Sequence, residues 1–289
     1  MSRLLHPPRL DVRAAVERAL AEDLYPFGDL SATLLPEGAA AIAKFRVREA
    51  GVLAGTACAD ETFAQVDPAL PITWLSQEGD RVQPDQVIAT VEGSLESILI
   101  AERTALNFMG HLSGIASRVA QFVDAAAGGC RVWDTRKTTP GLRSLEKAAV
   151  RAGGAWNHRG NLSDWIMLKD NHLMGVSITD GVAMARDRWP GRTVHIECDR
   201  EAQVREALNA KADALLLDNM SPAEAKACVD LVDEHEAATG HRPLVEASGG
   251  ITLDTIAGYA KTGVDLVSSS SFIMSAAVLD IGLDIDPVT

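Results

Sequence analysis

The sequence predicts an α/β protein: a β/α barrel, complete or incomplete, preceded by a smaller α+β domain. Three observations carry this. Six short apolar runs in the second half of the chain alternate with helical stretches, which implies parallel strands joined by right-handed crossovers. Residues 40–100 show a different pattern, with strand-like alternation punctuated by turns. Each of the six runs also ends on a polar residue, and in a β/α barrel all strand-to-helix loops open on that one face.

The elements follow in order. Leu10, Val12, Ala15, Val16, Ala19 and Leu20 recur at helical spacing over residues 10–24. Residues 41–47 alternate as a strand, and Gly51-Val52-Leu53-Ala54-Gly55 follows a turn. A hairpin flanks Glu78-Gly79-Asp80-Arg81-Val82 and extends to 87–93. It is superficially similar to a biotin- or lipoate-carrier hairpin, but such a carrier displays a lysine at its turn, and none lies between Lys44 and Lys137. Residues 95–127 read as helix, with Leu106, Met109, Leu112, Ile115 and Val119 on one face. The apolar runs are 131–133, 165–168, 193–196, 214–217, 243–245 and 264–267, with helices near 179–189, 200–209, 221–238 and 252–260 separating the later ones. The runs end at Asp134, Lys169, Glu197, Asp218, Glu246 with Ser248, and Ser268. An open doubly wound sheet would gather its ligands at one crevice; six polar endings spread over six strands favour the barrel.

Composition narrows the function. The chain has 289 residues and a net charge of −13, yet residues 131–172 hold eight Lys or Arg against four acids. Scattered cations usually form a solvated surface. A positive island in an acidic chain instead points to a small anionic ligand, and excludes nucleic acid, which would favour a basic face over a whole domain. No apolar run approaches the roughly 20 residues a membrane span requires, and the first eight residues carry no leader pattern, so a cytoplasmic protein is expected. The four cysteines, Cys58, Cys130, Cys198 and Cys228, form no CxxC pair; buried free thiols are expected, not a disulfide or metal cluster.

The chemistry concentrates in Asp134-Thr135-Arg136-Lys137-Thr138, Asn157-His158-Arg159 and Leu168-Lys169-Asp170-Asn171-His172. Arg offers a planar fork and Lys a compact charge for carboxylate or phosphate. Glu197 and Asp218 end consecutive strands. One acid there would be a helix N-cap, but two facing a cationic cluster look like ligands for Mg²⁺ or for ribose hydroxyls. Ala247-Ser248-Gly249-Gly250-Ile251 and Ser268-Ser269-Ser270-Ser271 follow successive late strands, where barrels often bind phosphate. Arg103 lies in an otherwise small and apolar helical stretch, where a buried or interfacial role competes with an ordinary surface charge paired to a neighbour. No Ser, Cys or His set has the pattern of a hydrolase triad, and no zinc-ligand spacing occurs.

These segments, with Gly28-Asp29-Leu30-Ser31, Ala101-Glu102-Arg103-Thr104-Ala105-Leu106-Asn107, Gly110-His111-Leu112-Ser113-Gly114, Lys147-Ala148-Ala149-Val150-Arg151-Ala152-Gly153-Gly154, Leu217-Asp218-Asn219 and Leu279-Asp280-Ile281-Gly282-Leu283-Asp284, resemble the quinolinate phosphoribosyltransferases over essentially the whole chain. The resemblance implies an incomplete β/α barrel (residues 114–275) and an N-terminal α/β sandwich domain (1–113) that the last residues, 276–289, rejoin. It implies phosphoribosyl transfer from phosphoribosyl pyrophosphate to quinolinate with decarboxylation, a step of NAD biosynthesis. Thr135, Arg136, Lys137, His158, Arg159 and Lys169 would bind the substrate carboxylates and phosphates. Glu197 and Asp218 would hold ribose hydroxyls and Mg²⁺, and Lys137, Lys169, Glu197 and Asp218 would be the catalytic set. Ser248, Gly249, Gly250, Ser268, Ser269 and Ser270 would take the 5′-phosphate. Arg103 would reach into the neighbouring subunit's site in a homodimer or larger assembly. The chain departs from the family pattern at Ser270, where a glycine is usual, at Met274, where a basic residue is, at Asn161, and at His195, where an acid is common.

Three rivals stand beside this reading. One is a paralogue of the molybdate-transport-associated type acting on another substrate. Another is a Schiff-base aldolase using Lys169. The third is a non-catalytic phosphate-binding relative.

Overall fold

In chain order the elements of this computed structural model, which describes residues 5–288, are α1 (Arg9–Leu24), β1 (Ala40–Val47), β2 (Gly51–Val52), α2 (Thr56–Val66), β3 (Thr73–Trp74), β4 (Arg81–Val82), β5 (Val87–Ser94) and α3 (Leu95–Ala126). They continue with β6 (Arg131–Trp133), α4 (Arg143–Ala152), β7 (Ile166–Leu168), α5 (Ile178–Arg188), β8 (Val194–Cys198), α6 (Glu201–Asn209), β9 (Ala214–Asp218) and α7 (Pro222–Thr239). The last are β10 (Leu244–Ser248), α8 (Ile256–Tyr259), β11 (Leu266–Ser268), α9 (Ser271–Met274) and β12 (Ile281–Pro287). The chain forms two units. No helix of the described residues is long and apolar enough to cross a membrane.

The first unit comprises residues 1–120, Thr138–Gly154 and 272–289. Strand β1 alternates half-buried and buried positions along its length, as a strand with one covered face must. It pairs antiparallel with β5 on one side and β12 on the other, and β3 completes the sheet in the order β12-β1-β5-β3. The C-terminal segment thus enters this sheet, with Lys44 Nζ 2.8 Å from Asp286 Oδ2 and Arg46 Nε 2.7 Å from Asp284 Oδ2 across the ladder. Phe45, Phe63, Ile98, Met109 and Leu279 form the core, and the Phe45 ring meets Phe63 edge-on at 6.0 Å.

Helices α2 and α4 were not foreseen. In α4 the cations Arg143, Lys147 and Arg151 fall every fourth residue, so part of the expected positive island is a helix of the first unit. Its buried side includes Leu145, Ala148 and Ala149. A Cβ on Gly153 would lie 2.4 Å from the Ala116 carbonyl oxygen, so glycine there lets the end of α4 approach α3. Residues 138–154, like 114–120 and 272–275, fall in this unit rather than in the barrel segment drawn from the sequence at 114–275.

The second unit comprises Gln121–Lys137 and Ala155–Ser271. Its six strands are all parallel in the order β6-β11-β10-β9-β8-β7. Among the described residues no ladder joins the edge strands β6 and β7, so the barrel is incomplete. Beside β6 the chain adds only a single parallel bridge, Trp133 to Trp156. Leu215, Leu216 and Leu217 of β9 are buried, the near-continuous apolar run of a strand covered on both faces. The helix expected over 252–260 shrinks to α8, because the Thr252 and Thr255 hydroxyls and backbone close turns ahead of it. Cys58, Cys198 and Cys228 are buried free thiols, while Cys130 is half-buried; burial pushes the Cys198 thiol up to about 12.

Candidate active site

The C-terminal ends of the parallel strands surround a cavity of about 620 Å³ within the second unit. Thr135, Arg136, Lys137, His158, Arg159, Lys169, Glu197, Asp218, Ser248, Gly249, Gly250 and Ser268 all line it. Residues from seven sequence segments, spread over more than 130 positions, therefore meet at one place. Met167, Leu216, Asn219 and Glu246 complete the lining. Of the eight cations in the island, Arg136, Lys137, Arg159 and Lys169 reach the cavity. Arg131 instead stacks over Trp156 at 5.1 Å.

Asp134, at the end of β6, is fully buried. Its Oδ1 accepts from the His158 backbone N–H and its Oδ2 from Asn157 Nδ2, both at 2.7 Å. One buried carboxylate thus fixes the Asn157-His158-Arg159 loop. Burial, and then the neighbouring Arg136 guanidinium, lower the Arg159 pKa from its usual value: two cations share one small volume, an arrangement that favours an anionic occupant. Lys169 Nζ donates to Glu197 Oε2 from the adjacent strand.

Glu246 sits on β10, fully buried. Its Oε1 accepts from Ser268 Oγ, which is 2.9 Å from Ser248 Oγ. Its Oε2 lies 3.3 Å from His158 Nε2 and 3.5 Å from His195 Nε2. Burial works to raise this carboxyl, but the His158 and His195 rings and the Ser268 hydroxyl outweigh it and hold the pKa below the usual carboxylate value. His195 is pushed down to about 4, mainly by burial.

Gly249 adopts φ +88°, and a Cβ there would stand 2.3 Å from Asn219 Oδ1. Asn219 itself holds φ 57°, and its N–H donates to the Ser248 carbonyl. Loops after β9 and β10 therefore lock together, and only glycine fits between them.

Four expected residues stand elsewhere. Ser269 is buried and bonds the Ile251 carbonyl at 3.0 Å and the Ser271 hydroxyl at 2.9 Å; it shapes its loop without lining the cavity, and Ser270 does not line it either. Arg103 lies on α3 in the first unit, its side chain 65% exposed and 4.0 Å from Glu102. His172, also named from the sequence, receives the Lys169 N–H through Nδ1 at 3.2 Å and faces solvent. Glu246 and His195 were missed as site residues, although Glu246 had been recognised as a strand ending and His195 as a departure.

The chain matches "Quinolinate phosphoribosyl transferase, N-terminal domain" over residues 29–113 and "Quinolinate phosphoribosyl transferase, C-terminal domain" over residues 115–284. It is 39% identical over 284 residues to a probable carboxylating nicotinate-nucleotide pyrophosphorylase of Synechocystis, covering 96% of this chain and 94% of that one. It is 37% identical to the chloroplastic enzyme of rice, over 96% of this chain and 79% of that one. The structure of the nicotinate-nucleotide pyrophosphorylase from Francisella tularensis superposes with a TM-score of 0.92 at 33% identity, covering 99% of this chain and all of that one. That from Ehrlichia chaffeensis gives 0.88 at 34% identity, over 94% and 98%. With both halves matched, the chain belongs to the quinolinate phosphoribosyl transferase family.

Proposed function

We propose that this protein transfers the phosphoribosyl group of phosphoribosyl pyrophosphate to the ring nitrogen of quinolinate and decarboxylates the product. Nicotinate mononucleotide, pyrophosphate and CO₂ are then released, a step of NAD biosynthesis. The observation that carries this reading is the convergence of Arg136, Lys137, Arg159 and Lys169 with Glu197 and Asp218 around one cavity.

The chemistry suits these residues. As pyrophosphate leaves, positive charge develops on the ribose and negative charge on the leaving group. Fixed charges already in place stabilise both without reorganisation. Arg136, His158 and Arg159 are suited to the two carboxylates, and Lys137 and Lys169 to the phosphates. The loops at Ser248-Gly249-Gly250 and Ser268 are suited to the 5′-phosphate. Glu197 and Asp218 offer hard oxygen ligands on neighbouring strands, a donor set that fits Mg²⁺, which takes one or two carboxylates together with phosphate oxygens. When bound there with the substrate, Mg²⁺ would offset charge on the pyrophosphate. The carboxylate beside the ring nitrogen departs as CO₂ once that nitrogen is quaternary and positive, and the electron pair left on the ring carbon, stabilised by that charge, takes up a proton from solvent.

The ion pair between Lys169 and Glu197 speaks against the aldolase reading, because a paired ammonium has no lone pair for a carbonyl. In our reading the protein acts in the cytoplasm as a homodimer or larger assembly with Arg103 entering a neighbour's site. In support, Arg103 projects outward, and Tyr25, Phe27 and Leu34 are at least 80% exposed. Incubation with phosphoribosyl pyrophosphate, Mg²⁺ and either quinolinate or nicotinate tests the assignment. Nicotinate mononucleotide should form from quinolinate only; formation from nicotinate alone, or from neither, would overturn it.

A further inference from the structure

We propose that His158, His195 and Glu246 form a binding site for a divalent transition-metal ion of the zinc class, separate from the Mg²⁺ position assigned to Glu197 and Asp218. The three ligand atoms lie within 4.8 Å of one another, and all three residues are buried. The two distances from Glu246 Oε2, 3.3 Å to His158 Nε2 and 3.5 Å to His195 Nε2, are the edges of a tetrahedron whose metal–ligand bonds measure about 2.0–2.2 Å. Two imidazoles and one carboxylate form a ligand set that holds zinc while leaving a fourth position open. Imidazole nitrogen also selects this class of ion over magnesium.

The atoms converge across a gap that a metal ion can bridge. His195 Nε2 is buried with no hydrogen-bond partner, and the Glu246 Oε2 it faces is approached by the His158 and His195 rings at 3.3 and 3.5 Å. The His195 ring bonds the Leu215 backbone, and since Nε2 is not the atom engaged, Nδ1–H makes that bond. The neutral ring then aims the Nε2 lone pair at a carboxylate oxygen. Lone pairs converging in this way call for a cation between them. An imidazole N–H on a backbone carbonyl is also the outer support that metal-ligating histidines normally have. The other partners are equally fixed, Glu246 Oε1 by the Ser268 hydroxyl and the His158 backbone by Asp134. His158 and Glu246 line the cavity, so the fourth coordination position opens toward it. With a single carboxylate the site keeps net positive charge there. The inference does not depend on which organic substrates the cavity takes.

The test is calorimetric titration of chelator-treated protein with ZnCl₂ in saturating Mg²⁺, backed by the visible spectrum after Co²⁺ loading. One Zn²⁺ per chain and a tetrahedral Co²⁺ spectrum are expected. His195→Ala should weaken Zn²⁺ by about 100-fold or more, since loss of even an outer partner costs about 10- to 100-fold, while Asp218→Asn should leave it unchanged. His195→Gln, close to histidine in size, provides the same comparison should the alanine variant fail to fold. Absence of stoichiometric Zn²⁺ binding, binding retained without His195, or binding lost in Asp218→Asn would overturn the proposal.

Discussion

Lys169, following β7, donates through Nζ to the Glu197 carboxylate on β8, its neighbour in the parallel sheet. The pair joins the cationic and acidic sides of the cavity. In the proposed reaction Lys169 offsets charge on the departing pyrophosphate, so Lys169→Ala should lower kcat/KM by about 100- to 1,000-fold. Lys169 is partly exposed, so its thermal unfolding midpoint should barely move. Steady-state kinetics beside a melting curve checks both. A variant with unaltered kcat/KM would remove Lys169 from the chemistry.

Arg136 and Arg159 line the same cavity, and Asp134 holds the loop of the second. Arg159→Ala should raise the KM for quinolinate more than that for phosphoribosyl pyrophosphate. A bidentate pair with a carboxylate is worth about 1.5–3 kcal/mol, or roughly 10- to 150-fold. Asp134→Asn should show the same selective defect at smaller size, because it loosens the loop and leaves the guanidinium in place. Separate KM measurements for the two substrates decide this; equal increases would contradict it.

The two loop glycines differ in a way that substitution exposes. Gly249→Ala drives a Cβ against Asn219 in a left-handed conformation. At Gly250, also left-handed at φ +63°, the added atom meets nothing within 4 Å. Gly250→Ala should cost about 1–2 kcal/mol from backbone strain alone, and Gly249→Ala clearly more. Chemical denaturation of both variants measures the difference, and equal losses would show that the contact with Asn219 yields freely.

Glu146 in α4 is buried, with Oε1 2.9 Å from His111 Nε2 and Oε2 accepting from the Thr139 N–H at 2.9 Å. Burial acts to raise its pKa, but these hydrogen bonds outweigh burial and hold it below the model-peptide value of 4.5. A carboxylate with a depressed folded pKa contributes stability that is complete above its unfolded value and lost as pH falls through the folded one. Glu146→Gln should therefore be less stable near neutral pH by about 1–3 kcal/mol. The gap to wild type should narrow below pH 4.5. Urea unfolding at several pH values tests this, and a gap that widens in acid would contradict it.

Much of the fold was legible because parallel strands covered on both faces leave apolar runs, and those runs end where the barrel opens. Lys169, Glu197 and Asp218 were legible because each ends an apolar run on the open face, and Arg136, Lys137 and Arg159 because they cluster as cations in an acidic chain. What escaped has physical causes. Helix α4 was hidden because its cations, spaced four apart, read as part of the anion site. Ser269 was grouped with the phosphate loop because a serine run gives no sign of which hydroxyl turns inward to bind its own loop. His195 and Glu246 lie 51 positions apart on different strands, so no spacing motif records their meeting. The order β8-β9-β10 brings these two together, and the loop that Asp134 holds beside β6 adds His158.

The central claim is that this set of fixed charges drives a coupled displacement and decarboxylation, and pyrophosphate release dependent on quinolinate tests it most directly. The wild-type protein should release pyrophosphate and CO₂ in equal amounts from quinolinate and phosphoribosyl pyrophosphate, and the folded double variant Arg136→Ala, Lys169→Ala should release neither. A double variant that releases pyrophosphate at the wild-type rate would contradict the account.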